Sequence, residues 1–516
     1  MQSATQAAET DFQTVSERIR ALAQQQAGQL ALVDEDSQLD YAQLDALMDR
    51  VAAALQRDGV RAGDVVAVCA FNSVPYAALF LGALRAGVVV APLAPSSTAE
   101  ALQAMLADAQ ARLLFVDEGA QERMPDTGAL PRIALDGRAQ GQAFADWLAP
   151  LGQQPEPVSI QPEQAFNIIY SSGTTGTPKG IVQSHGMRWM HVCRGEQQGY
   201  GPGQVTLLST PLYSNTTLVV FFPSLAHGST VVLMPRFDAL RYLQLAEQHR
   251  VTHTMLVPVQ YQRIMDLPQF GDFDLSSFQL KLCTSAPFHP ELMADVLARW
   301  PGGLTEYYGM TEGGGTFILN ASEHPDKLHT VGQPAAGHDI RMIDEDGREL
   351  APGEVGEVVG HSPGMMLGYH RQPELTREAE WFDASGKRFI RTGDVGRFDE
   401  DGFLVLMDRR KDMIISGGFN IYPSDLEAQL RQHPAVADVA VVGVPSRQWG
   451  ETPVAFVVPV AGPAPESQQL LQWFNERVGK TQRLADLQLC DELPRSAIGK
   501  VLKRELRDAY EAAPDP

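Results

Sequence analysis

The sequence predicts a protein of the α/β class, in which a large multi-layered N-terminal α/β domain is followed by a small α+β C-terminal domain. Its 516 residues exceed what a single compact core accommodates. Strand-like and helix-like patterns alternate through most of the chain, an arrangement typical of parallel sheets covered by helices. Near Asp408 the pattern changes, because "DRRKDMIISGG" places five charged residues ahead of an apolar triplet and two glycines.

The domain predicted for residues 1–408 shows both patterns near its start. The stretch "LDYAQLDALMDRVAAALQRDGV" predicts a helix, and "GDVVAVCAF" and "GVVVAPLAP" predict two buried strands. Four apolar residues share one face of that helix: Leu44, Leu47, Val51 and Leu55. The chain is uncharged from Val65 to Leu84, but polar residues and a proline interrupt this run. We therefore interpret it as a strand, a turn and a helix instead of a membrane span.

A hinge is predicted at residues 409–412, and a C-terminal lid domain at residues 413–516. In this domain "YPSDLEAQLRQHP" predicts a helix whose first turn is a capping box formed by Ser424 and Glu427. Two strands, "VADVAVVGV" and "TPVAFVVPV", and two helices, "SQQLLQWFNERV" and "KRELRDAY", complete the pattern. About a hundred residues of this kind make a domain of ordinary size.

Composition and charge limit the classes of partner and the cellular compartment that we expect for this protein. There are 41 basic and 63 acidic residues, and the net charge of −22 disfavours nucleic acid or an anionic membrane as the main partner. The cysteines are far apart and lack metal-ligand spacing, so we expect thiols in a reducing cytoplasm: Cys69, Cys193, Cys283 and Cys490. The opening stretch "MQSATQAAETDFQTV" has neither the basic nor the apolar region of a signal peptide.

The segment "YSSGTTGTPKG", from Tyr170 to Gly180, has the composition of a phosphate-binding loop. Glycines let backbone N–H groups face an anion, hydroxyls add donors, and Lys179 supplies positive charge. The pattern GxxxxGK[ST] does not fit, because Lys179 lies between Pro178 and Gly180. A flexible linker is the alternative. The apolar run "FNIIY" directly before the loop favours a buried strand and therefore a phosphate loop.

Four further segments are difficult to explain by packing alone. They are "YYGMTE" at Tyr307–Glu312, "RTGD" at Arg391–Asp394, the charged run at the predicted hinge, and "PRSAIGK" at Pro494–Lys500. Together with the loop, and in the same order and spacing, they resemble the adenylate-forming (ANL) superfamily. Within it the chain is similar to the branch of acyl-CoA synthetases and aryl-CoA ligases.

The resemblance implies an acid–thiol ligase that uses ATP, Mg²⁺ and CoA. Such an enzyme adenylates a carboxylic acid, releases pyrophosphate and transfers the acyl group to CoA. Its small C-terminal domain is mobile and swings between the two steps about a hinge that matches Lys411. The resemblance also leaves alternatives open. The protein could instead be an acyl-AMP ligase that loads the pantetheine of a carrier protein. Its oligomeric state could be a homodimer. A non-catalytic nucleotide-binding protein would be expected to lack Lys500 or Glu312, and both are present.

Several residues match the family's nucleotide-binding motifs. Those implied to contact ATP or the adenylate are Ser171, Thr174, Thr175, Lys179, Ser285, Ala286, Tyr308, Gly309, Thr311, Asp394 and Arg409. Tyr308 would stack on adenine and Asp394 would accept the ribose hydroxyls. For Tyr308 the alternative is a core residue, for Asp394 a turn cap, and for Arg409 a surface charge.

The chemistry is implied to depend on Lys500, Glu312 and Thr175, with Glu312 as the ligand of Mg²⁺. Glycines fit the channel of a thin pantetheine arm because they allow close backbone approach. Gly417 and Gly418 match this position, although a simple hairpin turn is the alternative. Trp449 matches a position near CoA in some aryl-CoA ligases, and a buried core tryptophan is the alternative.

The acyl pocket is implied to involve Tyr213, Ser214, Val259, Gln260, Gly309, Gly313 and Gly314. Ser214 stands where many relatives have a histidine. No aspartate is present for a substrate ammonium, and the nearby cations considered, Arg236 and Arg263, match positions outside the pocket. A second carboxylate would then be buried unpaired. We therefore expect an aromatic, alicyclic or medium-chain monocarboxylate as the small-molecule partner.

Overall fold

The computed structural model describes residues 12–171, 179–409, 412–416, 419–446, 449–462, 466–479, 482–496 and 499–512. Within them the helices are α1 (Val15–Gln25), α2 (Tyr41–Arg57), α3 (Val74–Arg85), α4 (Ala99–Ala109), α5 (Glu118–Gln121), α6 (Phe144–Trp147), α7 (His185–Arg194), α8 (Asn215–Ala226), α9 (Ala239–Gln248), α10 (Pro258–Met265), α11 (Pro290–Arg299), α12 (Pro373–Glu378), α13 (Pro423–Arg431), α14 (Ser467–Asn475) and α15 (Lys503–Ala512), with a 3₁₀ turn at Phe270–Asp272.

The strands are β1 (Leu30–Val33), β2 (Gln38–Asp40), β3 (Val65–Cys69), β4 (Val89–Leu93), β5 (Leu114–Val116), β6 (Arg132–Ala134), β7 (Gln142–Ala143), β8 (Ala165–Ser171), β9 (Lys179–Ser184), β10 (Val205–Leu208), β11 (Thr230–Leu233), β12 (His253–Leu256), β13 (Leu280–Cys283), β14 (Gly303–Gly309), β15 (Thr316–Asn320), β16 (Gln333–Pro334), β17 (Asp339–Ile343), β18 (Gly356–His361), β19 (Gly368–Tyr369), β20 (Glu380–Phe382), β21 (Arg388–Phe398), β22 (Leu404–Arg409), β23 (Ile414–Ser416), β24 (Phe419–Ile421), β25 (Val436–Ser446), β26 (Gly450–Pro459) and β27 (Asp486–Leu489).

The chain forms two compact units. The first unit comprises Met1–Leu328, Ala335–His338 and His361–Ile390, and the second unit comprises His329–Pro334, Asp339–Gly360 and Arg391–Pro516. The predicted fold class, a large α/β part with a smaller α+β part, is confirmed by this architecture. The hinge position stays a prediction, because Lys411 lies outside the described residues.

Two mostly parallel sheets make up the first unit. One has the order β15-β14-β13-β12-β10-β11-β1-β2, and its strands from β14 to β1 pair in parallel. The other has the order β19-β9-β8-β4-β3-β5-β6-β7, with β8, β9 and β19 paired antiparallel. Loops that follow parallel strands meet at one edge of a sheet, which is where sites form in such folds.

The helix and strands predicted near the start of the chain are confirmed. The predicted helix is α2, and its apolar stripe is buried, with Leu44, Val51 and Leu55 fully so. The uncharged run of the sequence forms β3 and α3, joined by a turn in which Ser73 caps the helix. No helix among the described residues combines the length and the hydropathy needed to cross a bilayer.

The second unit is built on antiparallel pairing. Strands β25 and β26 form a long hairpin, β23 and β24 pair beside it, and β27 joins β26 in parallel. Helices α13, α14 and α15 appear where the sequence predicted them. The predicted capping box is wrong, since Ser424 Oγ donates to the Met407 carbonyl and Glu427 accepts from the Val441 amide at 2.9 Å. Glu427 also pairs with Lys503 at 2.9 Å.

Candidate active site

The ends of the predicted phosphate loop are held together by an antiparallel ladder. Strands β8 and β9 pair Tyr170 with Gly180 and Ser171 with Lys179, so residues 172–178 are flanked by paired backbone on both sides. Thr174 and Thr175 lie outside the described residues, as does the side chain of Ser171. A strand followed directly by this loop is the context that the phosphate-binding interpretation required.

Lys179 and Glu312, two residues predicted from separate motifs, meet on the side chain of Tyr369. The ammonium of Lys179 lies 5.6 Å from the centroid of the Tyr369 ring, within the range of a cation–π contact. The Tyr369 hydroxyl donates a 2.9 Å hydrogen bond to Oε1 of Glu312. The structure therefore brings a cation and a carboxylate together around one aromatic residue.

Backbone pairing holds this arrangement in place. Strand β19 pairs with β9, so that Tyr369 faces Ile181, and the Met366 amide donates to the Glu312 carbonyl at 2.8 Å. Burial, reinforced by the adjacent Glu312 carboxylate, raises the pKa of Tyr369 well above its usual range. The hydroxyl therefore stays protonated and acts as a donor. Tyr369 belongs to none of the predicted motifs, and a lone "GY" in the sequence gives no signal of its role.

The segment "TSAP" follows β13 and is tied to its neighbours by side-chain hydrogen bonds. Thr284 Oγ1 donates to the Tyr307 carbonyl at 2.7 Å, and Ser285 Oγ lies 2.5 Å from Oγ1 of Thr216 at the start of α8. Ser285 has φ of +85°, a left-handed conformation that costs energy in a residue with a side chain. Such strain is common at functional sites, and Ser285 directly follows Thr284, whose side chain is bonded to β14.

The hairpin of β14 and β15 presents the other predicted nucleotide contacts. Tyr308 is half-buried and packs against Phe317 with 5.5 Å between ring centroids, whereas Gly309 is exposed. The Thr311 carbonyl accepts a 2.8 Å hydrogen bond from Gln183, a buried residue of β9. These contacts position the backbone on either side of Glu312.

Packing accounts for two of the glycines in "GMTEGGG". Gly313 has φ of +76°, and a Cβ there would lie 1.9 Å from the Gly364 carbonyl oxygen. A Cβ on Gly314 would lie 2.7 Å from Cβ of Ile390. Neither position accepts a side chain without moving the neighbouring segment. That Gly313 and Gly314 also border the substrate stays a prediction.

The polar residues predicted for the acyl pocket take part in helix caps. Ser214 is the N-cap of α8, where its Oγ accepts from the Thr216 amide at 3.3 Å. Gln260 accepts from the Val257 amide at 3.2 Å at the start of α10. Tyr213 and Val259, one residue before each, are half-buried. The caps fix the starts of α8 and α10. Contact of these four residues with a substrate stays a prediction.

In the second unit, Asp394 and Arg409 lie opposite each other. The register of β21 and β22 pairs their backbones, although the Arg409 side chain is not described. Thr392 Oγ1 donates to the Val358 carbonyl at 2.7 Å and accepts from the Asp394 amide at 3.0 Å. Gly393, within β21, has φ of +71°, a left-handed backbone conformation that favours glycine. Two predicted nucleotide contacts thus share one hairpin.

Lys500 is exposed, and its backbone is hydrogen-bonded to Ser496. Its carbonyl accepts from the Ser496 amide at 2.8 Å, and its amide donates to Ser496 Oγ at 3.2 Å. Trp449 is 51% exposed, so the alternative of a buried core tryptophan is wrong. Gly417 and Gly418, predicted to line the pantetheine channel, lie outside the described residues.

The residues around Glu312 fit a divalent cation that is completed by a nucleotide. Mg²⁺ is commonly held by one or two carboxylates together with substrate phosphates and water. Glu312 supplies one carboxylate, held by the Tyr369 hydroxyl. No cluster of three or more His, Cys, Asp or Glu side chains able to hold a metal occurs in the described part of the chain.

Residues 19–370 match the family of AMP-binding enzymes, and residues 425–500 match the AMP-binding enzyme C-terminal domain. A feruloyl-CoA synthase of Amycolatopsis is 34% identical over 92% of this chain and 94% of its own length. The fatty acid–[acyl-carrier-protein] ligase ScoC of Streptomyces coeruleorubidus is 31% identical over 97% of both chains. The ATP-bound structure of MatB from Rhodopseudomonas palustris has a TM-score of 0.85 at 28% identity and covers 97% of this chain and 99% of its own.

Proposed function

Because the chain belongs to the AMP-binding enzymes of the adenylate-forming superfamily, and is thus an AMP-forming acid–thiol ligase, we propose that it makes acyl-CoA from a carboxylic acid with an aromatic, alicyclic or medium-chain body. The observation that supports it most directly is the convergence of Lys179 and Glu312 on Tyr369 beside the phosphate loop. This arrangement suits a polyphosphate. ATP and CoA are found together in the cytoplasm, where we place the enzyme.

In the first step a carboxylate oxygen of the acid attacks the α-phosphorus of ATP. The bond from that phosphorus to the bridging oxygen breaks, and pyrophosphate leaves with the electron pair. The donors of the phosphate loop and Lys179 offset the charge that accumulates on the phosphate oxygens. Lys500, brought in by the second unit, would donate to the oxygens of the reacting centre. Tyr308 and Asp394 orient adenine and ribose.

Glu312, held by the Tyr369 hydroxyl, would ligate Mg²⁺, which supplies Lewis-acid stabilisation of phosphate oxygens when bound. Glu312 is oriented before the nucleotide arrives, because its backbone and its side chain are both hydrogen-bonded within the first unit. Such preorganisation lowers the cost of assembling the site during the reaction.

In the second step the thiol sulfur of CoA attacks the acyl carbon, the bond to the AMP oxygen breaks, and the thiol proton is lost to solvent. Lys411 would be the hinge for the swing that replaces Lys500 by the thiol channel. Gly417, Gly418 and Trp449 would border the pantetheine arm. The exposed indole of Trp449 suits a surface that a large cofactor covers.

A second candidate acceptor is the pantetheine of a carrier protein. The similarity to the carrier-protein ligase ScoC, over 97% of both chains, favours it. Both acceptors offer the same thiol and follow the same adenylation step. The difference concerns only the part of the acceptor that lies outside the pantetheine channel.

An ATP–pyrophosphate exchange assay over a library of carboxylic acids tests the first step. We expect exchange with acids of the stated class and none with amino acids. Thioester formation is then measured with CoA and with loaded carrier proteins in parallel. Exchange with no acid in the library would contradict the proposal, and a thioester formed only on carrier protein would favour the second acceptor.

A further inference from the structure

Helix α7 brings basic groups into the interior of the first unit. Arg188, His191 and Arg194 follow one another at intervals of three residues, which places them along one side of the helix. Arg188 is completely buried, and His191 and Arg194 are partly buried. Arg236 and Arg263, the cations that the sequence places near the predicted acyl segments, are both exposed in the structure.

Buried donors and acceptors without a partner accumulate along α7 and the loop that follows it. Among the described residues, Nη1 of Arg188 and Nδ1 of His191 have no hydrogen-bond partner, and the same holds for Oε1 of Gln198. Buried polar atoms are nearly always satisfied in folded proteins, so a group of unsatisfied atoms points to a ligand or to water.

Two donors contact the ring of His338. The backbone N–H of Thr316 points to Nδ1 at 2.8 Å. Nη2 of Arg194 lies 2.6 Å from Nε2, within hydrogen-bond distance. Burial and the charge of Arg194 lower the pKa of His338 to about 4, so the ring is neutral near pH 7. A neutral imidazole has one acceptor nitrogen, so the Thr316 amide and the Arg194 guanidinium compete for it, and one of the two lacks an acceptor.

No carboxylate in the described part of the chain forms an ion pair with Arg188 or Arg194. Arg188 donates instead to the side-chain oxygens of Asn167 and Gln183. The groups that shift the pKa of His191 below its usual range are, after burial, cations or a histidine: Arg188, Arg194 and His338. The region therefore has buried positive charge that its own residues do not balance.

This region adjoins the site described above. Gln183, which accepts from Arg188, donates to the Thr311 carbonyl at 2.8 Å and to Asn215 of α8 at 3.2 Å. Thr316, which donates to His338, directly follows the three glycines after Glu312. Helix α7 also packs against α8, whose first turn was predicted to border the acyl group.

We propose that these α7 donors, together with His338, form a subsite for an oxygen acceptor on the acyl substrate, distant from the carboxylate that is activated. The proposal rests on the proposed function. An oxygen from a carbonyl or a carboxylate of the substrate supplies the acceptor that the donors of Arg188 and Arg194 lack. The charge of the two arginines favours a carboxylate over a neutral carbonyl. The substrate is then an acid whose far end is polar, and not a plain monocarboxylate.

Sets of acids that differ only at the far end test this proposal. We would compare cinnamate, 4-acetylcinnamate and 4-carboxycinnamate, and separately octanoate and octanedioate, by ATP–pyrophosphate exchange. We expect kcat/KM to be at least tenfold higher for an acid with the acceptor than for its plain counterpart, and highest for the carboxylate. Equal or better use of the plain acids would overturn the subsite while leaving the proposed function intact. Exchange with none of these or other acids would instead contradict the proposed function.

A substitution ties the preference to the residues. Arg194→Met keeps the aliphatic stem and removes the guanidinium, and we expect KM for the acceptor-bearing acid to rise at least tenfold with little change in kcat. The plain acid should be unaffected or used better. Arg50→Met is the matched control, because Arg50 is also a partly buried arginine of the first unit, with a 2.7 Å bond to the Ala149 carbonyl. If Arg194→Met, like Arg50→Met, changes kcat/KM for the acceptor-bearing acid and for the plain acid by the same factor, the proposed subsite is wrong.

Discussion

Replacing Tyr369 by phenylalanine removes the hydroxyl that holds Glu312 and keeps the ring beneath Lys179. The lost hydrogen bond is 2.9 Å long and ends on a carboxylate in a partly buried site. A hydrogen bond to a charged group contributes about 1.5–3 kcal/mol, and partial exposure places this one near the lower end. At about 1.4 kcal/mol per factor of ten, we expect the apparent affinity for Mg²⁺ and ATP to be roughly tenfold weaker.

The assay is ATP–pyrophosphate exchange measured over a range of Mg²⁺ concentrations. The half-maximal Mg²⁺ concentration should rise about tenfold, and the increase in Tm produced by Mg²⁺ and ATP together should shrink. Tyr242→Phe is the control, since Tyr242 donates a 2.7 Å hydrogen bond to Thr254 in the buried core of the same unit. If Tyr369→Phe lowers Tm as the control does but leaves the Mg²⁺ requirement unchanged, the hydroxyl does not position Glu312.

Three further changes address other parts of the chain. Lys500→Ala should reduce acyl-AMP formation by on the order of 10² or more while sparing thioester formation from preformed acyl-AMP, and equal loss of both steps would contradict its role. Lys411→Pro restricts φ and should block acyl transfer but not adenylation, so normal turnover would refute the hinge. Burial raises the pKa of Glu306 from 4.5 to about 8. The folded chain then binds this proton more tightly than the unfolded chain, and stability falls as pH rises through that interval. Glu306→Gln should therefore raise Tm more at about pH 9 than at about pH 5, and equal changes would contradict the burial effect.

Local patterns predicted the elements whose periodicity was strong. Helix α2 and strands β3 and β4 follow from apolar spacing and burial alone. The capping box of Ser424 and Glu427 failed because both side chains have tertiary partners, which a local motif does not contain. Competition from distant partners is the general reason why local capping signals mislead.

The residues of the candidate site also fall into those that a local motif identifies and those that only the folded chain reveals. Lys179 and Glu312 were found because each belongs to a motif, but Tyr369 reaches them only through the pairing of β19 with β9. Arg188 and Arg194 were missed for a related reason. Both lie in a helix that borders the predicted acyl segment only after folding, so their position in the sequence does not indicate their role.

The two-residue strand β19 has a consequence for measurement by hydrogen exchange. The amides of Met366, Leu367 and His370 donate to the carbonyls of Glu312, Val182 and Gly180 respectively. Opening this short segment therefore breaks the contacts that hold the carboxylate and the loop lysine together. Because amides in one cooperative unit exchange together, these three should become protected in concert when nucleotide binds. Their common exchange rate in the absence of nucleotide would measure how often this segment opens, independently of any enzymatic turnover.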